Sequence, residues 1–236
     1  DEGRTCKLTV AGPSEAPPGD LHAAGADAWS IRAFRELERA LFELRFNHPE
    51  HGLLLLRTSG DQELMLAWDE ALHSAADAGD WLAIRTLAFQ RRTLRRVDNM
   101  SRSLFALIEE DSCFAGTLLE LALAADRTYM FLDDDGENAV RLGRANGGTF
   151  PMHNGATRLA NRFYGEPEKV GELLGLEAPV DAEQAEELGL VTMSLDDIDW
   201  EDEIRIAVEE RASMSPDALT GMEQNIRFAG SEGTES

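Results

Sequence analysis

Residues 103–132 read SLFALIEEDSCFAGTLLELALAADRTYMFL, and three pieces separate by pattern. SLFALIE (103–109) is a short continuous apolar run, the mark of a strand covered on both faces. Residues 116–125 predict a short apolar helix that carries one acid, Glu120. RTYMFL (127–132) reads as the next strand, closed by Asp133-Asp134-Asp135-Gly136. Strand, helix and strand in so short a space point to an α/β fold.

The same alternation extends upstream. TCKLTV (5–10) reads as a strand and AGPSEAPPGD as a loop. From about Trp29 to Asn47, Ile31, Phe34, Leu37, Leu41, Leu44 and Phe46 recur at helical spacing. HPEHG breaks that helix. LLLLRTSGD (53–61) is a second strand buried on both faces and ended by a turn, and a further helix covers roughly Trp81 to Met100. Downstream, AVRL (139–142) is a short fourth strand. Beyond Pro151 the chain reads as helix almost throughout, with 181–188 and 201–212 the clearest pieces. The expected organisation is a core over 1–192, a helical C-terminal region over 193–228 and a disordered tail over 229–236. There is no Rossmann glycine fingerprint and no phosphate loop.

The chain has 236 residues and a net charge of -23. A surface this acidic repels phosphate backbones and anionic lipid, so neither nucleic acid nor a membrane is an expected partner. Lys7 and Lys169 are its only lysines among 22 basic residues. That bias fits a high-salt cytoplasm or a GC-rich genome. The start, DEGRTCKLTV, has neither the basic residues nor the apolar core of a signal peptide, which predicts the cytoplasm. Cys6 and Cys113 form no disulfide framework. Twelve acids against one base, Arg205, over 181–210 read as a solvated helix face.

Chemistry concentrates at the 116–120 turn. Backbone N–H groups at a helix start have no partner inside the helix, so those around Gly116 and Thr117 are ready donors for a developing oxyanion. Glu120 lies one turn further in. Among leucines it loses solvation, which raises its pKa toward the range useful for proton transfer. An acid near a helix start can also simply complement the dipole.

GTLLELALAAD (116–126) resembles the pattern of the crotonase (enoyl-CoA hydratase/isomerase) superfamily, a glycine-rich turn followed by E-L-A-x-x-x-D. LLLLRTSGDQELMLAWDEAL (53–72) resembles that family's strand-turn segment, which ends in a small-residue loop and an aspartate, here Asp69. TFPMHNGATRL (149–159) resembles its proline-plus-glycine turn. The resemblance implies a crotonase-like ββα spiral core with a helical C-terminal region. It implies backbone donors on Trp68 and Thr117 that hold a thioester oxygen, and Glu120 as base. The second hydratase glutamate is missing; Arg144 stands there, available to bind an anion such as formate.

SCFAGTLLELALAADR, the Asn146–Met152 turn, RLANRFYGE and DDIDWEDEIRIAVEERASMSPDALTGME (196–223) together resemble the branch of benzoyl-CoA-dihydrodiol lyases. That branch implies ring opening of an oxygenated (2,3-epoxy or dihydrodiol) benzoyl-CoA with water, releasing formate and a semialdehyde acyl-CoA. A plain enoyl-CoA hydratase or isomerase and a silent CoA-binding module are the alternatives. Members of the branch are about twice as long, so the chain is expected to be a crotonase core cut short. The family resemblance also implies a homo-oligomer, dimer- or trimer-based, and no cofactor beyond the CoA that enters with the substrate.

Asp69, Cys113, Arg144, Asn146 and His153 are the substrate-binding candidates, and Gly116 joins Glu120, Trp68 and Thr117 as catalytic. Each has a plainer reading: Trp68 as a core aromatic, Cys113 as an inert buried thiol, His153 as a cap or solvated residue. RRTLRR (91–96) with Arg102 could steer CoA phosphates or pair with acids of its own chain or of a partner subunit. Asp133, Asp134, Asp135 and Glu137 could supply a second acid or form an exposed turn. His48-Pro-Glu-His51 offers two imidazoles, but the proline breaks the helix that would align them and no third ligand is evident, so no metal is expected.

Overall fold

The computed structural model describes residues 4–133 and 136–228. Five parallel strands form the main sheet: β1 (Thr5–Ala11), β2 (Leu53–Ser59), β3 (Ser103–Ile108), β4 (Arg127–Phe131) and β7 (Met193–Leu195), in the order β1-β2-β3-β4-β7. A small antiparallel pair, β5 (Ala139–Val140) and β6 (Val180–Asp181), stands apart. Parallel neighbours need crossover helices. These are α2 (Trp29–Asn47, after the short α1, Leu21–Ala24), the pair α3 (Gln62–Asp77) and α4 (Trp81–Asp98), and α5 (Gly116–Leu123). The helices α6 (Arg158–Arg162), α7 (Pro167–Leu174) and α8 (Ala182–Glu187) precede β7, and α9 (Trp200–Ser213) and α10 (Pro216–Ile226) follow it.

The sheet is covered on both sides, which explains the unbroken apolar runs. Leu54 and Leu56 of β2 join Leu104, Ala106 and Ile108 of β3 in the main core, beneath α2 to α5. Their strand neighbours Leu53, Leu55, Phe105 and Leu107 point the other way. There Trp200, Ile204 and Val208 of α9 pack on them. The same helix turns its five acids outward, and of the twelve acids over 181–210 all but Asp181 are exposed. The C-terminal region is tied to this sheet directly. Glu223 of α10 is buried and accepts hydrogen bonds from Ser103 Oγ on β3 and from Arg211 on α9, the latter at 3.0 Å.

Three elements depart from the expectation: β6 and β7 are strands in the stretch beyond Pro151 that reads as helix almost throughout, and α3 is a helix where none was expected. Residues 62–77 are helix, where the sequence reading placed a turn and a small-residue loop. Asp61 caps α3 by accepting from the Glu63 and Leu64 amides at 2.7 and 3.1 Å. Met65, Trp68, Asp69 and Leu72 then fall on its buried face. The tail 229–236, with Asp134 and Asp135, lies outside the described residues.

Candidate active site

The β3–α5 connection positions the centre of the site. Gly116 has φ +47°, and its N–H donates to the Arg141 carbonyl at 3.0 Å. A Cβ here would stand 2.1 Å from Asp69 Oδ2, so only glycine lets that carboxylate approach the start of α5. Asp69 does approach. Its Oδ2 accepts the Thr117 amide at 2.7 Å and its Oδ1 accepts the Thr117 hydroxyl at 2.6 Å. Of the two amides expected as donors at the helix start, that of Gly116 is thus taken by a backbone carbonyl and that of Thr117 by a carboxylate from α3.

Glu120 is buried on α5. Its Oε1 accepts from Asn146 Nδ2 at 2.7 Å and its Oε2 from Arg158 at 2.6 Å. Asn146 also donates to the Gly116 carbonyl at 3.0 Å and accepts from the Gly143 amide at 2.9 Å. Arg158, on α6, is itself buried and grips Asp98 through two hydrogen bonds of 2.8 Å. One guanidinium thus joins two buried carboxylates. Burial raises the Glu120 carboxyl pKa, against the opposing pull of Arg158 and the Asn146 hydrogen bond. Burial likewise raises Asp98, again against Arg158. A cavity of about 290 Å³ adjoins the group, lined by Asp98, Asp126, Met152, Arg158, Asn161 and Arg227 among others.

Asp69 completes the electrostatics. Burial pushes its carboxyl up to about 7, against the two Thr117 hydrogen bonds and helped by the negative charge of Glu120. The folded chain therefore keeps a proton on Asp69 that the unfolded chain has released above about pH 4, and stability falls as pH rises from there to about 7. Asp69→Asn is expected to remove that part of the slope. Urea unfolding at pH 5 and pH 8 should show the variant losing less stability than the parent, by up to about 3 kcal/mol. Equal losses in the two proteins would mean Asp69 stays ionised throughout.

No family model matches the chain. Its described residues superpose on solved crotonase-type enzymes. They match Pseudomonas aeruginosa DspI with a TM-score of 0.68 at 18% identity, over 96% of this chain and 78% of that one. They match an enoyl-CoA hydratase from Geobacillus kaustophilus with a TM-score of 0.64 at 17% identity, over 94% and 76%. The fold is that of the crotonases. At the sequence level the chain is 47% identical over 231 residues to a benzoyl-CoA-dihydrodiol lyase from Aromatoleum evansii. That match takes in 96% of this chain and 41% of the relative, so the chain spans about two fifths of that protein's length.

Set on the crotonase fold, the expected site residues divide. Gly116, Thr117, Glu120, Asp69 and Asn146 come together. Trp68 does not serve as expected. It sits inside α3, where its amide belongs to the helix ladder, and its indole donates to the Glu15 carbonyl at 2.8 Å while packing on Trp29. It is the core aromatic of the plainer reading. Arg144 faces outward, ion-paired with Asp77 and, at 3.6 Å, with Glu70 of α3, so it is not aimed at a buried anion. Cys113 is buried against Gly12 and the Asp61 carbonyl, and burial pushes its thiol up to about 12, which makes it inert. His153 is exposed and stacks edge-on with Phe228.

Most of the basic run is spent locally. Arg92 and Arg96 pair with Glu38, Arg95 holds the Pro151 and Met152 carbonyls, and Arg102 is buried. Asp133 caps a turn by accepting from the Glu137 and Asn138 amides. The expectation of no third donor beside His48 and His51 is corrected: the loop brings Glu50 up to both rings. Arg158 was missed as a partner of Glu120, and Asp98 as the second carboxylate that Arg158 holds. Arg158 had been noticed only as a position in a turn motif, and nothing local to Asp98 signals its role.

Proposed function

We propose that the chain contributes the acyl-thioester site of a lyase that opens an oxygenated benzoyl-CoA, 2,3-epoxy or dihydrodiol, with water, giving formate and a semialdehyde acyl-CoA. The observation that carries this reading is the 47% identity over 231 residues to benzoyl-CoA-dihydrodiol lyase. The geometry supports it in a specific way. The Thr117 amide holds one oxygen of the Asp69 carboxyl and the Thr117 hydroxyl the other, and a thioester oxygen gathering charge can take up the donors that Asp69 now occupies. Binding then requires Asp69 to withdraw, which protonation of its carboxyl eases. Glu120, desolvated and aligned by Asn146 and Arg158, is the base that takes a proton from water or substrate. CoA enters as part of the substrate and no other cofactor is invoked.

The test offers the chain two thioesters. The epoxide or dihydrodiol of benzoyl-CoA should yield formate in proportion to thioester consumed. Crotonyl-CoA should keep its conjugated absorbance. Hydration of crotonyl-CoA with no formate from the aromatic substrate would replace this reading with that of an enoyl-CoA hydratase.

A further inference from the structure

We propose that His48, Glu50 and His51 form a binding site for a divalent transition-metal ion of the zinc class. The site lies at the C-terminal end of α2, away from Glu120 and its partners. Pro49 ends α2 at Asn47 by denying helical conformation to the residue before it. The chain then turns back on itself, and the His51 amide donates to the His48 carbonyl at 3.3 Å. The turn sets both imidazoles against one carboxylate. His48 Nδ1 is 3.3 Å and His51 Nδ1 3.4 Å from the same oxygen, Glu50 Oε1. One donor atom from each of the three residues lies within 4.8 Å of the others.

Those separations have a physical meaning. Tetrahedral zinc with bonds of about 2.0–2.1 Å places its ligand atoms about 3.3 Å apart. Two of the three edges already have that length. Two imidazoles and one carboxylate are a donor set that suits zinc, and three protein ligands leave a position for water or a small anion. The second ring nitrogen of His48 faces Glu43 Oε1 at 3.7 Å, a carboxylate placed to fix the ring's orientation.

The backbone beneath the cluster is locked. Arg102 is buried, and its guanidinium donates to the Leu44, His48 and His51 carbonyls at 2.6, 2.7 and 2.7 Å. The main chain of both histidines is thereby held in place by the protein alone, so ordering it adds little to the cost of binding. The cationic Arg102 lies near Glu50, with Arg45 near Arg102, and opposes a metal's charge, while Glu43 and Glu50 favour it. His48 and His51 also line a cavity of about 1110 Å³ on the α9 side of the sheet, together with Cys6, Arg57 and Trp200.

The experiment titrates Zn²⁺ into the full chain in competition with a chromophoric chelator, and repeats the titration with His48→Gln/His51→Gln and with Glu50→Gln. The parent should take up one equivalent. The double variant should take up none, although it keeps His22, His73 and His153. Glu43→Gln should weaken binding about 10–100-fold. Circular dichroism and urea midpoints show whether each variant is folded. Co²⁺ added to the unaltered chain should give the visible bands of a four-coordinate nitrogen–oxygen site, which needs no substitution. Equal zinc uptake by parent and double variant would overturn the assignment, and so would a Co²⁺ spectrum indistinguishable from the hexaaquo ion.

Discussion

Arg158→Leu is expected to lower the stability of the chain by about 3–5 kcal/mol, read as the shift of the urea midpoint at pH 7.5. The guanidinium is the shared partner of Asp98 and Glu120, and the three side chains are between 1% and 3% exposed. Without it, two carboxylates remain in a dry interior facing each other. Each must take up a proton or lose its place in the fold. Both carboxyls are already raised by burial, so the folded state binds protons that the unfolded state has released above about pH 4. Loss of the cation raises them further, and the variant should lose stability more steeply than the parent as pH rises from 5 to 8. Arg158→Lys should recover only part of the loss, because a single ammonium cannot make the two parallel bonds to Asp98 and reach Glu120 as well. A midpoint unchanged in Arg158→Leu would mean that the group is hydrated.

Glu120→Gln is expected to cut formate release by about 10²–10⁴-fold, the range for removing a general base. Gln has nearly the same shape and leaves the Arg158–Asp98 pair intact. One of its amide hydrogens must face a donor, either Asn146 or Arg158, so a stability loss of about 1–2 kcal/mol accompanies the change. The two effects separate the roles. Catalysis lost with thioester binding retained and a stability loss no larger than about 1–2 kcal/mol identifies a base. Binding and midpoint lost together identify a residue whose work is to hold Arg158. Turnover at the parent's rate would remove Glu120 from the mechanism.

The strands β2, β3 and β4 and the helix α2 were legible because their patterns are local. Runs such as Leu53–Leu56 have no polar interruption, since one side of the strand meets α2 to α5 and the other meets α9. The helix start at Gly116 and the buried acid one turn later were legible for the same reason. α3 was not read, although Asp61 as cap, Glu63 in the first turn and the spacing of Met65, Trp68 and Leu72 all mark a helix. The resemblance to a loop-bearing segment displaced that local signal, and Trp68 was given a free amide that a helical residue does not have. How the groups around Glu120 join was hidden for a different reason. Asp98, Asn146 and Arg158 come from three separate elements, and Glu120 meets Arg158 across 38 positions of sequence. Only tertiary packing brings them together. His48 and His51 were noticed, but a turn that puts Glu50 between them does not show in a spacing rule written for helices.

The Thr117 donors, held here by Asp69, are on the proposed reading the groups that polarise a thioester. The vibrational frequency of a ¹³C-labelled thioester carbonyl in benzoyl-CoA bound to the chain reports on them directly. A carbonyl that replaces Asp69 on the Thr117 amide and hydroxyl should absorb at lower frequency than the free thioester in water. Thr117→Val, which keeps the amide and removes the hydroxyl, should reverse part of that shift. A bound carbonyl with the frequency of the free thioester, unaffected by Thr117→Val, would contradict the account.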